Sequence, residues 1–99
     1  MKHYTVYILE CRDGSYYVGI TNDIDTRIVQ HNEGHDKKAY TFRRRPVSLV
    51  FEEHFKDVNQ AIAFEKQVKG WRREKKEALI RREWEHLPEL SKAYFLKKR

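Results

Sequence analysis

The sequence predicts an α+β fold, in which a small three-stranded antiparallel sheet is flanked by helices in the order β-β-α-β-α-α. Two apolar runs around Asp13-Gly14 indicate a β-hairpin. Helical segments with capping residues then surround one further run of β-branched and aromatic residues. At 99 residues the chain is long enough for one domain with a modest core, but not for two.

The register of the hairpin depends on the length of its loop. A two-residue loop places Tyr7 and Tyr17 on opposite faces of the sheet, whereas a three-residue loop, residues 12–14, pairs Tyr7 with Gly19. Only the second register explains a glycine inside a strand, because Gly19 then leaves space beside the Tyr7 ring. The residue pattern leaves both registers open, and we predict the three-residue loop.

Capping and breaking residues divide the rest of the chain into elements. A cluster of N-cap residues at 21–25 begins the first helix, which should run to about Asn32, with Gly34 as its C-terminal stop. A basic loop closes at Pro46, and the run at residues 47–55 predicts the third strand. Further helices are expected from Asp57 or Asn59 to Gly70, over residues 71–86 and over residues 89–96.

The chain is strongly basic, with a formal net charge of +6. Basic residues cluster in the 37–45 loop and in the C-terminal third, which favours nucleic acid as a partner ahead of an anionic membrane surface. The residues expected to contact nucleic acid are Lys37, Lys38, Arg43, Arg44, Arg45, Lys69, Arg72 and Arg73.

Cysteine usage and hydropathy bear on compartment and organisation. Cys11 is the single cysteine, so no disulfide framework is expected, and paired ligands at the short spacings of a zinc site are missing. No apolar run reaches the length of a membrane span. We expect a cytoplasmic protein without membrane association. We also expect residues 1–99 to form one domain with a basic helical extension from about residue 81.

Ionisable side chains fall on helix faces that should pack against the sheet. In the first helix, Arg27 and His31 share a stripe with Ile24 and Ile28. Glu65 falls within the apolar arc of the second helix. A charged residue in such a place is paired, at the edge of the core, or functional. An Arg27–Glu65 salt bridge is the structural explanation, and a reactive site is the functional one. The arc around Glu65 consists of Val58, Ala61, Ile62, Phe64 and Val68.

The combined pattern resembles the GIY-YIG nuclease family. Thr5-Val6-Tyr7 and Tyr17-Val18-Gly19 are similar to the two halves of its signature, and Arg27, His31 and then Glu65 follow in the family's order. The segments Tyr40-Thr41, Arg45-Pro46 and 65–71 resemble the small single-domain bacterial branch. The resemblance covers roughly residues 4–80.

The resemblance implies an endonuclease that hydrolyses nucleic-acid phosphodiester bonds with one divalent metal ion, Mg²⁺ or Mn²⁺. By this resemblance Glu65 binds the metal, Tyr7 is the general base and Arg27 holds the scissile phosphate. Tyr17 and His31 position water and phosphate or assist proton movement, and Gly19 is structural in the site. DNA is favoured over RNA, with cleavage selected by DNA structure and a role in DNA repair or recombination.

Two departures from the family pattern and two alternatives accompany this interpretation. The first half of the signature reads TVY, and no asparagine follows Asn59, whereas many family members have one after the metal-binding glutamate. A degenerate, non-catalytic nucleic-acid-binding module would keep the basic surface without needing Tyr7, Arg27 and Glu65 together. A protein-interaction module would use aromatic anchors. Its candidate anchors are Trp71, Trp84, Tyr94 and Phe95.

Overall fold

A computed structural model describes residues 3–87 of the chain. The α+β class, the element order and the three-stranded antiparallel sheet are confirmed. The elements are β1 (Tyr4–Cys11), β2 (Tyr16–Thr21), α1 (Ile24–Glu33), β3 (Val47–Phe55), α2 (Val58–Lys69) and α3 (Arg73–Ile80), with 3₁₀ turns at Phe42–Arg44 and Trp84–His86. The helix predicted over residues 89–96 lies outside the described residues.

The chain divides into two compact units between Lys69 and Gly70. The first unit contains the sheet with α1 and α2, and the second contains α3 and the 3₁₀ turn that follows it. The single-domain organisation stays a prediction. None of the helices within residues 3–87 combines the length and the apolar character that a bilayer crossing requires.

The central strand β1 pairs with β2 on one side and with β3 on the other, both antiparallel. Tyr7 pairs with Gly19, so the predicted three-residue hairpin loop is confirmed. Gly14 closes this loop with a φ of +84°, and its N–H donates to the Cys11 carbonyl oxygen at 2.9 Å. This left-handed conformation suits glycine, which has no Cβ to clash with the backbone.

Alternation along the strands gives the sheet two different faces. The face that we call the α1 face carries Tyr7 and Leu9, and it packs against Ile24 and Ile28 of α1. The opposite face, the α2 face, is closed by Phe64 of α2. The Phe64 ring centroid lies 5.3 Å from that of Phe55 and 6.4 Å from that of Phe51, both on β3.

Helix α1 is held at both of its ends by side-chain hydrogen bonds. The Asp23 carboxylate accepts hydrogen bonds from the Thr26 N–H at 3.2 Å and from the Thr26 hydroxyl at 2.8 Å. Near the other end, the Asn32 amide donates to the Val47 carbonyl oxygen at 3.1 Å and accepts from the Val47 N–H at 2.8 Å. Asn32 therefore fixes α1 against the first residue of β3.

The third helix is shorter than predicted because it ends at Ile80 in a Schellman-type motif. The N–H groups of Arg82 and Glu83 donate to the carbonyl oxygens of Leu79 and Ala78 at 3.0 Å and 2.9 Å. Arg82 has a φ of +58°, a conformation that glycine usually supplies at this position. Because arginine does not usually mark the end of a helix, the sequence did not predict that α3 ends here.

The buried arc of α2 is narrower than the apolar pattern predicts. Glu65 is buried within it, as expected, together with Ala61, Phe64 and Val68. Val58 and Ile62, which were predicted to belong to the arc, are each 37% exposed.

Candidate active site

Gly19 creates the space in which the Tyr7 ring lies. Tyr7 is only 1% exposed, and a Cβ at position 19 would overlap its Oη and lie 2.6 Å from its Cζ. The same Cβ would lie 3.0 Å from Cε2 of Tyr17. No side chain fits at this position unless a tyrosine ring moves. The strand glycine is therefore explained by the close approach of Tyr7.

Three of the predicted site residues meet on the α1 face. Nε2 of His31, on α1, lies 3.2 Å from Oη of Tyr7. The ring centroids of Tyr17 and His31 are 5.2 Å apart, and those of Tyr7 and Tyr17 are 6.3 Å apart. The hairpin register brings the two tyrosines to one face, and α1 adds the imidazole. The result is a compact polar cluster beside the apolar packing of that face.

Arg27 lies one helical turn before His31 and, unlike a core residue, is exposed. With Tyr17 and His31 it lines a cleft of about 120 Å³. Its guanidinium has no hydrogen-bond or ion-pair partner among residues 3–87, although its charge acts on both Tyr7 and His31. A cation that faces an open cleft without a protein partner suits an anionic ligand such as a phosphate group.

Glu65 has a different partner from the one that the salt-bridge explanation requires. Its side chain is 12% exposed, and its Oε2 lies 2.8 Å from Nζ of Lys69 on the next turn of α2. In the described part of the chain no Arg27–Glu65 ion pair is formed. The negative charge of Glu65 nevertheless contributes to raising the pKa of Tyr7. Glu65 is therefore within electrostatic reach of the tyrosine.

Burial dominates the proton affinities in this cluster. It raises the pKa of Tyr7, the neighbouring Tyr17 adds to the increase, and the charge of Arg27 opposes it. Burial also lowers the pKa of His31, and the positive charge of Arg27 lowers it further. At neutral pH His31 is accordingly neutral, and Tyr7 keeps its proton when neither metal nor substrate is bound.

The donor set around Glu65 fits one kind of metal ion and not another. Within residues 3–87 no cluster of three or more His, Cys, Asp or Glu side chains could enclose a metal. A structural zinc site needs such a cluster. Mg²⁺ instead takes one or two carboxylates, keeps several waters and shares the substrate's phosphate oxygens. A single carboxylate such as that of Glu65 therefore fits Mg²⁺ or Mn²⁺ rather than a structural zinc ion.

Two further residues reach the site from the 36–45 loop. Thr41 is 1% exposed, and its Oγ1 lies 2.8 Å from Nδ1 of His31. The Tyr40 ring stacks on that of Tyr17 with centroids 6.3 Å apart, and the Arg44 guanidinium lies 3.8 Å from the Tyr40 centroid. Neither residue follows a helix or strand period. The Tyr40-Thr41 match to the family pattern was the one sequence signal for them.

The predicted basic contacts within the first unit separate into engaged and free residues. Arg44 binds Asp13 at 3.1 Å, and Nε of Arg45 donates to the Phe42 carbonyl oxygen at 2.7 Å. Lys69 is paired with Glu65, as described above. The exposed basic residues of the loop that make no such contact with the described part of the chain, residues 3–87, are Lys37, Lys38 and Arg43.

The remaining two predicted contacts, Arg72 and Arg73, belong to the second unit. Both are exposed, Arg72 precedes α3, and Nε of Arg73 lies 3.1 Å from Oε2 of Glu77. Their role in binding nucleic acid stays a prediction.

A family model described as the GIY-YIG catalytic domain matches residues 3–87. The chain belongs to the GIY-YIG family. The predicted resemblance is thereby confirmed, and it covers both compact units. The GIY-YIG family is a family of nucleases, which act on nucleic acid and generally use a divalent metal ion.

Bacterial relatives of this GIY-YIG chain carry the family name UPF0213. One from Staphylococcus saprophyticus is 47% identical over 79 residues, which cover 80% of this chain and 94% of the relative. Another from Staphylococcus aureus is 41% identical over 81 residues, covering 82% and 98% of the two chains.

Two solution NMR structures are similar to the GIY-YIG chain in fold. A UPF0213 protein from Bacillus halodurans has 46% identity and a TM-score of 0.53, with 79% of this chain and 82% of that chain covered. A protein from E. faecalis has 33% identity and a TM-score of 0.59, with coverage of 82% and 85%.

Proposed function

We propose that this GIY-YIG chain is a metal-dependent endonuclease that hydrolyses phosphodiester bonds, in DNA rather than RNA. We further propose that it selects its substrate by DNA structure and acts in the cytoplasm in DNA repair or recombination. The observation that carries the proposal is the convergence of Tyr7, Tyr17 and His31 beside Arg27, whose cation has no partner within residues 3–87. The charge of Glu65 also acts on Tyr7. Binding alone does not require that arrangement.

Arg27 is proposed to bind the scissile phosphate. Its guanidinium faces the cleft, and planar N–H donors match the oxygens of a phosphate group. During hydrolysis negative charge grows on those oxygens, so a fixed cation stabilises the transition state more than the ground state. Tyr17 and His31 line the same cleft and would orient the phosphate and the attacking water.

Tyr7 is proposed to accept the proton of the attacking water. The water oxygen bonds to phosphorus, its proton passes to Tyr7 Oη, and the bond between phosphorus and the leaving sugar oxygen breaks. The leaving oxygen then takes a proton from solvent. This role requires the phenolate, and lowering a tyrosine pKa from 10 to 7 needs about 4 kcal/mol of stabilisation. The burial that raises the Tyr7 pKa increases this requirement, whereas the charge of Arg27 reduces it. A hydrogen bond donated by His31 across its 3.2 Å contact with Tyr7 Oη would reduce it further.

Glu65 is proposed to hold the divalent ion. When bound, that ion supplies positive charge to the phosphate oxygens and offsets the carboxylate charge that contributes to raising the Tyr7 pKa. Lys69 now neutralises the same carboxylate at 2.8 Å. Because its ammonium group sits on a flexible, largely exposed stem, it can move away from Glu65 at small cost.

The pairing of Glu65 with Lys69 also favours a second candidate, a non-catalytic nucleic-acid-binding module. In that case the ammonium group is the permanent partner of the carboxylate, and no metal ion is needed. Exposed basic residues, with Lys37, Lys38 and Arg43 among them, would then carry the interaction through phosphate contacts.

Cleavage by the purified chain separates the two candidates. Linear, nicked, flapped and branched DNAs and the matching RNAs are incubated with Mg²⁺, with Mn²⁺ and with EDTA. We expect cleavage with metal, none in EDTA, and loss of cleavage in Arg27→Ala. Arg12→Ala removes the same charge from an exposed loop position and should cut normally. Salt-sensitive binding without cleavage of any substrate would favour the binding module and overturn the proposal.

A further inference from the structure

The Thr41 hydroxyl ends a chain of hydrogen-bonding groups that leads to Tyr7. Thr41 Oγ1 lies 2.8 Å from Nδ1 of His31, and His31 Nε2 lies 3.2 Å from Oη of Tyr7. Both ring nitrogens are therefore engaged, one by a threonine and one by a tyrosine. A neutral imidazole carries one N–H, so the threonine contact and the tyrosine contact cannot both be donated by the ring.

Burial and contact length together indicate which nitrogen carries the hydrogen. Thr41 is 1% exposed, and His31 is the one hydrogen-bond partner of its hydroxyl among residues 3–87. A hydroxyl has a single O–H to donate, and leaving a buried donor unsatisfied is costly. Tyr7 is equally buried and also has one O–H, so the contact lengths decide between the two donors. The 2.8 Å contact to Nδ1 has the length of a donated O–H, whereas the 3.2 Å contact to Tyr7 Oη is at the long end for an N–H donor. The Thr41 O–H is therefore directed at Nδ1, which must then be an acceptor. The ring hydrogen is left on Nε2, where it faces Tyr7.

We propose that Thr41 is a positioning residue that holds neutral His31 as the Nε2–H tautomer, so that the imidazole donates a hydrogen bond to Tyr7 Oη. A hydrogen bond donated to the tyrosine oxygen stabilises the phenolate relative to the phenol. The consequence for catalysis rests on the proposed function, in which Tyr7 accepts a proton. The tautomer itself does not depend on any activity.

The backbone around Thr41 is fixed well enough to serve this purpose. The Arg44 N–H donates to the Thr41 carbonyl oxygen at 2.9 Å, and the Phe42 N–H donates to the Ala39 carbonyl oxygen at 3.0 Å. The Arg44 carbonyl oxygen in turn accepts from the Arg12 N–H at 2.9 Å, which ties this turn to the hairpin. The threonine is thus attached to the same sheet that carries Tyr7.

The first test reads the tautomer directly. Long-range ¹H–¹⁵N correlation spectra of the wild-type chain at neutral pH distinguish the protonated ring nitrogen of His31 from the unprotonated one. We expect the hydrogen on Nε2 in the wild type and in Thr41→Ser, and a mixture of tautomers in the nearly isosteric Thr41→Val. A wild-type ring with its hydrogen on Nδ1, or a Thr41→Val spectrum that matches the wild type, would overturn the proposal.

The second test measures cleavage. Thr41→Val should lower kcat roughly 10–100-fold with little change in KM, by analogy with the loss of a partner that orients a metal-binding histidine, and Thr41→Ser should restore the rate. Thr5→Val is the matched control, because Thr5 Oγ1 lies 2.9 Å from Nδ1 of a different histidine, His54. That control should leave both kcat and the His31 tautomer unchanged.

The two tests fail separately. If the chain cuts no substrate, the proposed function is wrong, but the spectrum still reports the tautomer of His31. If Thr41→Val cuts at the wild-type rate while Tyr7→Phe is inactive, the proposed nuclease function stands and the proposed role of Thr41 in catalysis is wrong. The wild-type spectrum needs no variant. Even if Thr41→Val failed to fold, a wild-type His31 ring with its hydrogen on Nδ1 would still overturn the proposal.

Discussion

The α1 face and the α2 face of the sheet use alternate residues of the same strands in opposite ways. On the α2 face Phe64 packs against Phe51 and Phe55, and aromatic contacts close the surface. On the α1 face Tyr7 is just as buried, yet its hydroxyl meets His31, and the site borders an open cleft of about 120 Å³.

This difference indicates that side-chain packing is reduced on the α1 face, where the candidate active site lies. A strand glycine and a cleft both reduce packing on the α1 face, whereas the α2 face carries three phenylalanines in contact. Substitutions on the two faces should therefore separate activity from stability. Variants of the polar cluster on the α1 face should lose the reaction, and variants of the phenylalanines on the α2 face should lose the fold.

The largest expected effect is on the α1 face, in Tyr7→Phe. Removing the hydroxyl removes the proton acceptor, so the single-turnover cleavage rate should fall about 10²–10⁴-fold. The phenyl ring still fills the same space, so the free energy of unfolding should change by only about 1 kcal/mol. Cleavage and urea denaturation are measured on the same preparation. A variant that cuts at the wild-type rate would remove Tyr7 from the mechanism.

Phe55→Ala tests the α2 face. Truncating this ring, which is 1% exposed, should lower the free energy of unfolding by about 3–5 kcal/mol, because it leaves a cavity beside Phe64. At a temperature where the variant is still folded, cleavage per folded molecule should stay within a few-fold of the wild type. A variant of unchanged stability would show that the aromatic packing does not hold the sheet.

Gly19→Ala should lower both stability and activity. The added Cβ overlaps the Tyr7 hydroxyl, so we expect a cost of about 1–3 kcal/mol in stability, together with slower cleavage. In the background of Tyr7→Phe the overlapping oxygen is gone while Cζ remains at 2.6 Å, so part of the cost of the same substitution should be relieved. A double-mutant cycle measured by denaturation gives this coupling. Strict additivity of the two substitutions would contradict the close approach.

The smallest expected effect is the pH dependence contributed by His31. Because the pKa of His31 is lowered on folding, the unfolded chain binds this proton more readily than the folded one. The contribution of His31 to stability is therefore complete above its ordinary pKa of 6.5 and decreases as the pH falls below that value. Denaturation at a series of pH values should show a weaker acid dependence in His31→Gln. An identical pH profile would contradict the shift.

Local chemistry predicted most of the fold because each element carried its own signals. The turn at Gly14 and the need to explain Gly19 favoured the correct hairpin register, and the bounds of β3 were predicted as found. The end of α3 was missed because Arg82 takes a conformation that glycine normally marks. Periodicity does not predict the conformation of a single residue that departs from the usual pattern, as Arg82 does.

The site was only partly predictable, for a related reason. Tyr7, Tyr17 and His31 came from strand and helix alternation, which places side chains on faces. The structural explanation weighed for Glu65 was a salt bridge with Arg27 on another helix, but its partner is Lys69, one turn away on α2. The Thr41 hydroxyl lies in an irregular loop, so its contact with His31 depends on tertiary structure alone.

The central claim is that Glu65 serves the reaction rather than the fold, and Glu65→Gln tests it most directly. The variant keeps the shape but removes the charge that a divalent ion needs, so cleavage should collapse in Mg²⁺. Its partner Lys69 is 57% exposed and stays hydrated when left alone, so unfolding should change by about 1 kcal/mol or less. Nucleic-acid affinity in EDTA should stay within a few-fold of that of Glu10→Gln, an exposed control with the same change in charge. Wild-type cleavage by Glu65→Gln, or a loss of about 3–5 kcal/mol like that of a broken buried ion pair, would contradict the account.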